Sequence, residues 1–168
     1  TNTKNFSASI DFTISNTTTL GEHPRTVYAW FKDSSKNVSS VASDSITLVV
    51  ADTAAPSSPS ISINSGSDNT SNTVVTLSLS ASDNYGVSGY YASETNSTPK
   101  SSATGWTGVS TSKNYSDNVS FTLASESYAG SYARTVYVWF KDGSGNISSS
   151  ASDGITLVVT DITAPANH

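Results

Sequence analysis

The chain of 168 residues contains neither cysteine nor methionine. Without cysteine, disulfide bonds, thiol nucleophiles, CxxC zinc sites and haem attachment are excluded. Charged residues make up only 12% of the chain, against roughly 25% in an average globular protein. The 8 basic residues are outnumbered by 13 acidic ones, which gives a net charge of −5. This balance argues against nucleic acid as a partner, because nucleic-acid binding needs clustered Lys and Arg.

Long apolar runs and catalytic signatures are also lacking. No stretch of eighteen apolar residues occurs, and no basic start precedes an apolar segment, so we predict no membrane insertion. The only histidines are His23 and His168. They are accompanied by no GxSxG motif, no paired-carboxylate context and no phosphate loop. We therefore predict that the chain is not an enzyme.

Serine and threonine dominate what is present, filling 58 of the 168 positions. The apolar residues alternate with them, and 10% of the chain is aromatic. High Ser/Thr content combined with low charge and no cysteine is typical of exported surface proteins. We therefore predict an extracellular location at the cell surface.

Two segments of the chain are nearly identical. Residues 25–56 read RTVYAWFKDSSKNVSSVASDSITLVVADTAAP, and residues 134–165 read RTVYVWFKDGSGNISSSASDGITLVVTDITAP. The offset is 109, and 23 of the 32 positions are identical. The offset continues backwards without a gap, since Phe12 matches Phe121. A period of this length suits a self-contained β-sandwich of about 100 residues rather than a solenoid unit of roughly 20–50.

The repeat predicts the domain boundaries. We interpret residues 1–52 as the C-terminal half of one repeat and residues 60–161 as a complete repeat. Residues 53–59 form the linker between them, and residues 162–168 form the start of the next linker. On this interpretation the chain begins in the middle of a domain.

Strand signals recur along the chain, while helix signals are nearly absent. Period-two alternation predicts seven short strands in the complete repeat: Ile61–Ile63, Val75–Ala81, Val87–Tyr91, Trp106–Val109, Val119–Leu123, Thr135–Lys141 and Ile155–Thr160. The partial repeat is predicted to hold three: Ser9–Ile14, Thr26–Lys32 and Ser45–Ala51. The fold class predicted from this pattern is all-β, with antiparallel β-sandwich repeats, one complete and one partial.

The partial repeat carries only half a core. Its inward-facing residues are predicted to be Ile10, Phe12, Ile14, Val27, Phe31, Ile46 and Leu48. Left in water, they would form an apolar patch of a size that soluble monomers rarely tolerate. We predict that strands from an upstream part of the same polypeptide, or from a neighbouring copy, complete residues 1–52. The natural donor is a segment like residues 57–109, the missing half of the same repeat.

Three motifs suggest a family. They are Asp-x-Thr-Ala-Pro at 161–165 with a looser copy at 52–56, Ser-Asp-Asn at 82–84, and Val-Trp-Phe-Lys-Asp-Gly-Ser-Gly-Asn at 138–146. In these motifs the chain resembles the bacterial and archaeal Ig-like tandem repeats of large extracellular surface proteins, the adhesin and stalk repeats. The resemblance implies Ig-like sandwiches that serve as a non-enzymatic rod-like spacer or fibre building block of an adhesin, stalk or surface filament. The implied partners are adjacent identical repeats or neighbouring copies of the chain.

Calcium at the junctions is a further implication of the resemblance. The residues that could converge there are Asp52, Asp83, Asn84, Asp142 and Asn146. Calcium takes six to eight oxygen ligands of these types. The same residues also make tight turns, and no DxDxDG loop is present, so turn chemistry is the alternative. In the partial repeat Lys36 replaces Gly145, which argues against a metal at that loop.

Two kinds of glycan site are candidates. The triplet Asn-x-Ser/Thr, a glycan acceptor in some exported chains, begins at Asn5, Asn16, Asn37, Asn69, Asn96, Asn114, Asn118 and Asn146. Because Ser and Thr are so abundant, chance alone gives roughly half of these eight. Trp106, Tyr90 and Tyr91 could instead form a sugar-stacking platform. The alternatives to a spacer are therefore a carbohydrate-binding module or a filament subunit assembled by strand complementation between chains.

Overall fold

A computed structural model describes residues 6–161. In that range the chain forms strands and no helix, so the predicted all-β class is confirmed. The chain divides into two compact units, Thr1–Asp52 and Thr53–His168, here called the first and second units. The strands are β1 (Gly21–Ala29), β2 (Ala42–Val50), β3 (Ser57–Ile63), β4 (Asn69–Thr70), β5 (Val74–Ser93), β6 (Thr107–Thr122), β7 (Gly130–Asp142) and β8 (Ala151–Val159).

The second unit is one curled sheet of six strands. Its order is β3-β5-β7-β8-β4, and β6 pairs with the other side of β5. All pairs are antiparallel except the short pair of β4 with β8. The first part of β5 pairs with β3 and its last part, from Val87, pairs with β7. Strand β5 runs without a break from the part that pairs with β3 to the part that pairs with β7. The sheet therefore folds over on itself and encloses a core, as a β-sandwich does.

The prediction of seven strands for the complete repeat is therefore wrong. The predicted second and third strands are one strand, β5, and the predicted fourth and fifth are one strand, β6. The turn-forming residues at 82–86 make a register shift within β5 rather than a loop, with Gly86 at φ 130°. In addition, β3 begins at Ser57, inside the segment 53–59 that was predicted as linker.

The core of the second unit lies on one face of these strands. Alternate residues of β5 and β7 point inward, as period-two alternation requires. The most deeply buried aliphatic and aromatic side chains of this core are Ile63, Leu77, Leu79, Val87, Leu123, Val136, Val138, Phe140 and Leu157. They include Leu77 and Leu79 of β5 and Val136, Val138 and Phe140 of β7, which lie at alternate positions along their strands.

A second, smaller aromatic group lies on the opposite face of β7. Trp139 is buried there, with its ring against Tyr91 at 6.2 Å and against Tyr137 at 6.3 Å between centroids. Trp106 contacts Tyr91 edge-on at 5.7 Å. Both faces of β7 are thus covered, which explains why this strand is apolar on both sides.

The first unit repeats the β7–β8 pair. Strand β1 pairs with β2 from Gly21 opposite Val50 to Ala29 opposite Ala42. Adding 109 to each of these numbers gives the pairing of β7 with β8. The sequence repeat is therefore also a repeat of strand register.

Two of the strand predictions for the first unit fail. Residues 9–14 form no strand, and β1 ends at Ala29 rather than at Lys32. The counterparts of these residues in the second unit are hydrogen-bonded to β5: the end of β6 pairs with Val74–Ser78, and Trp139–Asp142 pair with the last part of β5. Residues 6–52 contain no strand that corresponds to β5. Residues 9–14 and the segment after Ala29 therefore have no neighbouring strand with which to form a hydrogen-bonded ladder.

Candidate functional site

The loop after β7 is held by a single carboxylate. Asp142 Oδ1 accepts a hydrogen bond from the backbone N–H of Asn146 at 2.9 Å, and Oδ2 accepts one from the Asn146 side-chain amide at 2.7 Å. Gly145 has φ 87°, the left-handed conformation that glycine adopts without strain. The sequence Asp-Gly-Ser-Gly-Asn thus folds into a tight loop that fixes the direction of the Asp142 carboxylate.

The first unit contains the same loop at Asp33–Asn37. Asp33 Oδ1 accepts from the backbone N–H of Asn37, and Oδ2 accepts from its side chain, both at 2.8 Å. These two bonds, the side-chain one first, lower the pKa of Asp33 because they stabilise its charged form. Lys36 takes the place of Gly145 and still adopts φ 73°. The loop geometry therefore survives the substitution at the cost of a strained non-glycine residue.

Asp83 sits in the bend of β5. Its Oδ1 accepts hydrogen bonds from the backbone N–H groups of Tyr85 at 2.9 Å and of Gly86 at 2.6 Å. Its Oδ2 is buried and has no hydrogen-bond partner. A buried carboxylate oxygen without a partner is energetically costly, so this atom is a candidate ligand for a cation.

Two buried carboxylates of the second unit lie close together. One oxygen of Asp83 lies within 4.8 Å of one oxygen of Asp142, and both residues are buried. Asp52, the last residue of the first unit, is also buried. Carboxylates this close repel one another, and burial removes the water that would screen them.

This group fits a divalent cation with oxygen ligands. Calcium prefers carboxylate oxygens, and a bound cation would satisfy Asp83 Oδ2 while neutralising the mutual repulsion. Of the five residues predicted for the site, Asp83 and Asp142 lie together within the second unit. The side-chain amide of Asn146 donates to Asp142 Oδ2 and fixes the orientation of that carboxylate. Asn84 is exposed beside Asp83.

The predicted sugar-stacking residues separate into two groups. Tyr91 and Trp106 lie together on the outer face of the sheet, where the ammonium group of Lys141 covers the Trp106 ring at 4.8 Å from its centroid. Tyr90 points to the opposite face and packs on the core, with its ring 6.4 Å from that of Tyr115. Adjacent strand residues point to opposite faces, so the three cannot form one platform.

Most candidate glycan acceptors are at the surface. Exposed positions are Asn16, Asn37, Asn69, Asn96, Asn114 and Asn118, whereas Asn146 is half-buried. Asn5 lies outside the described residues. The side-chain amide of Asn37 donates a hydrogen bond to Asp33, and that of Asn146 donates one to Asp142. A glycan at either asparagine would break the bond that holds its loop.

Comparison with protein-family models, with curated proteins and with solved structures gives no match. Across residues 6–161, no helix is long and apolar enough to cross a membrane. The functional interpretation therefore depends on the geometry of the two units themselves.

Proposed function

We propose that this chain is a non-enzymatic structural repeat of an extracellular surface protein, an adhesin, stalk or surface filament, in which it acts as a rod-like spacer or fibre building block. The observation that carries the proposal is the repetition of one architecture at an offset of 109. Strand register, the Asp-to-Asn loop and an aromatic pair all recur with it: Tyr28 and Trp30 lie 6.2 Å apart, and Tyr137 and Trp139 lie 6.3 Å apart.

A spacer needs units with an enclosed core, and the second unit has one. Its core is enclosed by long antiparallel strands, and β7 is covered on both faces. Its surface is Ser/Thr-rich and carries little charge, which suits a module whose task is to separate other parts of a protein.

Single-molecule stretching of the full chain tests the spacer function. We expect a discrete force peak followed by release of about 340–370 Å of chain, the extended length of residues 57–159 at roughly 3.3–3.6 Å per residue. The Leu77→Ala variant should lower the peak force because it opens a cavity in the core, and Val74→Ala at an exposed position of the same strand should not. Gradual extension without a peak would contradict a load-bearing role.

Calcium is the cofactor that this function would use. We propose that Asp83 and Asp142 bind it and thereby hold the bend of β5 against the loop after β7. The support is the buried carboxylate group with its partnerless Asp83 Oδ2. Extracellular modules typically bind calcium with dissociation constants of about 10⁻⁴–10⁻³ M.

Calorimetric titration of the full chain with calcium chloride tests this site. We expect one equivalent to bind and the melting temperature to rise in millimolar calcium. Asp83→Asn should weaken binding at least about tenfold, because it removes charge but keeps the shape. The matched control is Asp117→Asn, at an exposed position of β6. Equal binding by both variants, or none by the unmodified chain, would show that the loops serve only as turns.

A further inference from the structure

The first unit exposes side chains whose counterparts in the second unit are buried. Phe31 is 53% exposed where Phe140 is fully buried, and Ile46 is 59% exposed where Ile155 is at 4%. The sequences around these positions are nearly identical, and the strand register is the same. The difference in burial therefore comes from what covers the strands and not from the strands themselves.

In the second unit the covering element is known. It is residues 57–109, here called the front half, which comprises β3, β4, β5 and the start of β6. Strand β5 provides Leu77 and Leu79 to the core, and its Tyr91 packs against Trp139 on the outer face. Asp153 Oδ2 accepts a hydrogen bond at 2.7 Å from the backbone N–H of Ile63 in β3.

The first unit contains the residues that correspond to the covered partner in each of these contacts. Asp44 corresponds to Asp153, and its Oδ1 accepts from the next backbone N–H at 2.9 Å, as Asp153 Oδ1 does. The segment from Trp30 to Asp33, which corresponds to the part of β7 paired with β5, follows β1 but is not part of it. An unpaired edge of this kind invites another strand.

We infer that the face of β1 and β2, together with residues 9–14 and 30–33, is a docking surface for a separate copy of the front half, which binds by strand addition. Its β5 would pair in the register seen in the second unit, with Tyr90 opposite Phe31 and Tyr91 opposite Trp30. Backbone hydrogen bonds would provide affinity, and the alternating side chains would provide specificity.

The front half at residues 57–109 already covers residues 110–161. Moving it to the docking surface would therefore uncover one face for every face it covers. A front half that is not engaged elsewhere is therefore the partner that fits. This inference concerns assembly and stands whether or not the chain serves as a spacer or binds calcium.

The test attaches an additional front half to the full chain. Residues 57–109 are fused directly before Thr1, which corresponds to residue 110, so the repeat reads through without interruption. We expect hydrogen exchange at the amides of Trp30 and Lys32, and at alternate amides of residues 9–14, to slow at least about tenfold relative to the unfused chain, because these amides would enter a hydrogen-bonded ladder. The amides of Phe31 and Asp33 already donate to Ser39 and Asn37. Trp30 should become as inaccessible to acrylamide as Trp139.

The matched control carries Leu77→Asp and Leu79→Asp in the added copy alone. It should leave exchange at Trp30 and Lys32 as fast as in the unfused chain, because charged residues cannot enter the core. If the fusion does not fold, a synthetic peptide of residues 74–93 added to the unmodified chain gives the same readout. Protection by neither the fusion nor the peptide would overturn the inference. It would also fail if the unmodified chain, by itself, dimerises in sedimentation and thereby protects Trp30.

Discussion

Trp30 and Trp139 occupy equivalent positions in two copies of one sequence, yet Trp139 is 1% exposed and Trp30 is 59% exposed. Each is paired with a tyrosine two residues earlier, at nearly the same distance. The difference is that Tyr91 packs against Trp139, while residues 6–52 contain no counterpart of β5. Identical local sequences thus have opposite surroundings because only one of them has its covering strand.

We expect this contrast to appear in fluorescence quenching. Trp30→Phe should remove most of the acrylamide-accessible emission, whereas Trp139→Phe should remove emission that acrylamide hardly quenches. Trp139→Ala should lower the free energy of unfolding of the second unit by roughly 3–5 kcal/mol, as for other buried aromatic truncations. Equal quenching of both tryptophans would contradict the difference in burial.

Leu77 tests the assigned inner face of β5. Leu77→Ala should destabilise the second unit by roughly 2–5 kcal/mol, because the side chain is fully buried and its removal leaves a cavity. Val74→Ala, in the same strand but 58% exposed, should change stability by less than about 0.5 kcal/mol. Denaturant unfolding measures both, and a larger effect at Val74 would mean that the faces are reversed.

Tyr115 should make the fold sensitive to alkaline pH. Burial of its hydroxyl, with a smaller contribution from the nearby Asp117 charge, raises the pKa of Tyr115 to about 12. The neutral form is favoured in the folded state, so its contribution to stability is complete below pH 10 and is lost as the pH rises towards 12.

Tyr115→Phe should therefore flatten the fall in stability between pH 10 and 12. At pH 7 it should cost less than about 1 kcal/mol or even stabilise, because the buried hydroxyl has no hydrogen-bond partner. Tyr128→Phe, at a largely exposed position, is the control and should leave the alkaline slope unchanged. An unchanged slope for Tyr115→Phe would indicate that other groups cause the alkaline loss.

The bend of β5 depends on Gly86. Its φ of 130° is strained for any other residue, and a Cβ there would lie 2.5 Å from Thr111 Cγ2. Gly86→Ala should cost about 1–3 kcal/mol. Gly143→Ala is the matched control, since a Cβ at Gly143 meets nothing within 4 Å. Adding Thr111→Ser should recover part of the loss by removing the clashing methyl group; no recovery would assign the whole effect to the backbone.

The sequence alone predicted the all-β class, because period-two alternation is a local property that each segment carries by itself. It did not predict that residues 75–91 form one strand. The turn residues at 82–86 are compatible with both a loop and a bulge, and only pairing with β6 and β7 decides between them. Motif and position predicted that Asp83 and Asp142 would lie close together, whereas the exposure of Asn84 could not be derived from spacing.

Local sequence is sufficient to set the repeat and every feature that depends on near neighbours in the chain. The Asp33 and Asp142 loops and the aromatic pairs beside them have the same geometry in both copies because their bonds join residues only a few positions apart. Only the tertiary structure decided whether a segment becomes a strand and whether its face is buried. Residues 118–122 are strand and residues 9–13 are not, although they carry the same pattern, because a ladder needs a partner from a distant part of the chain.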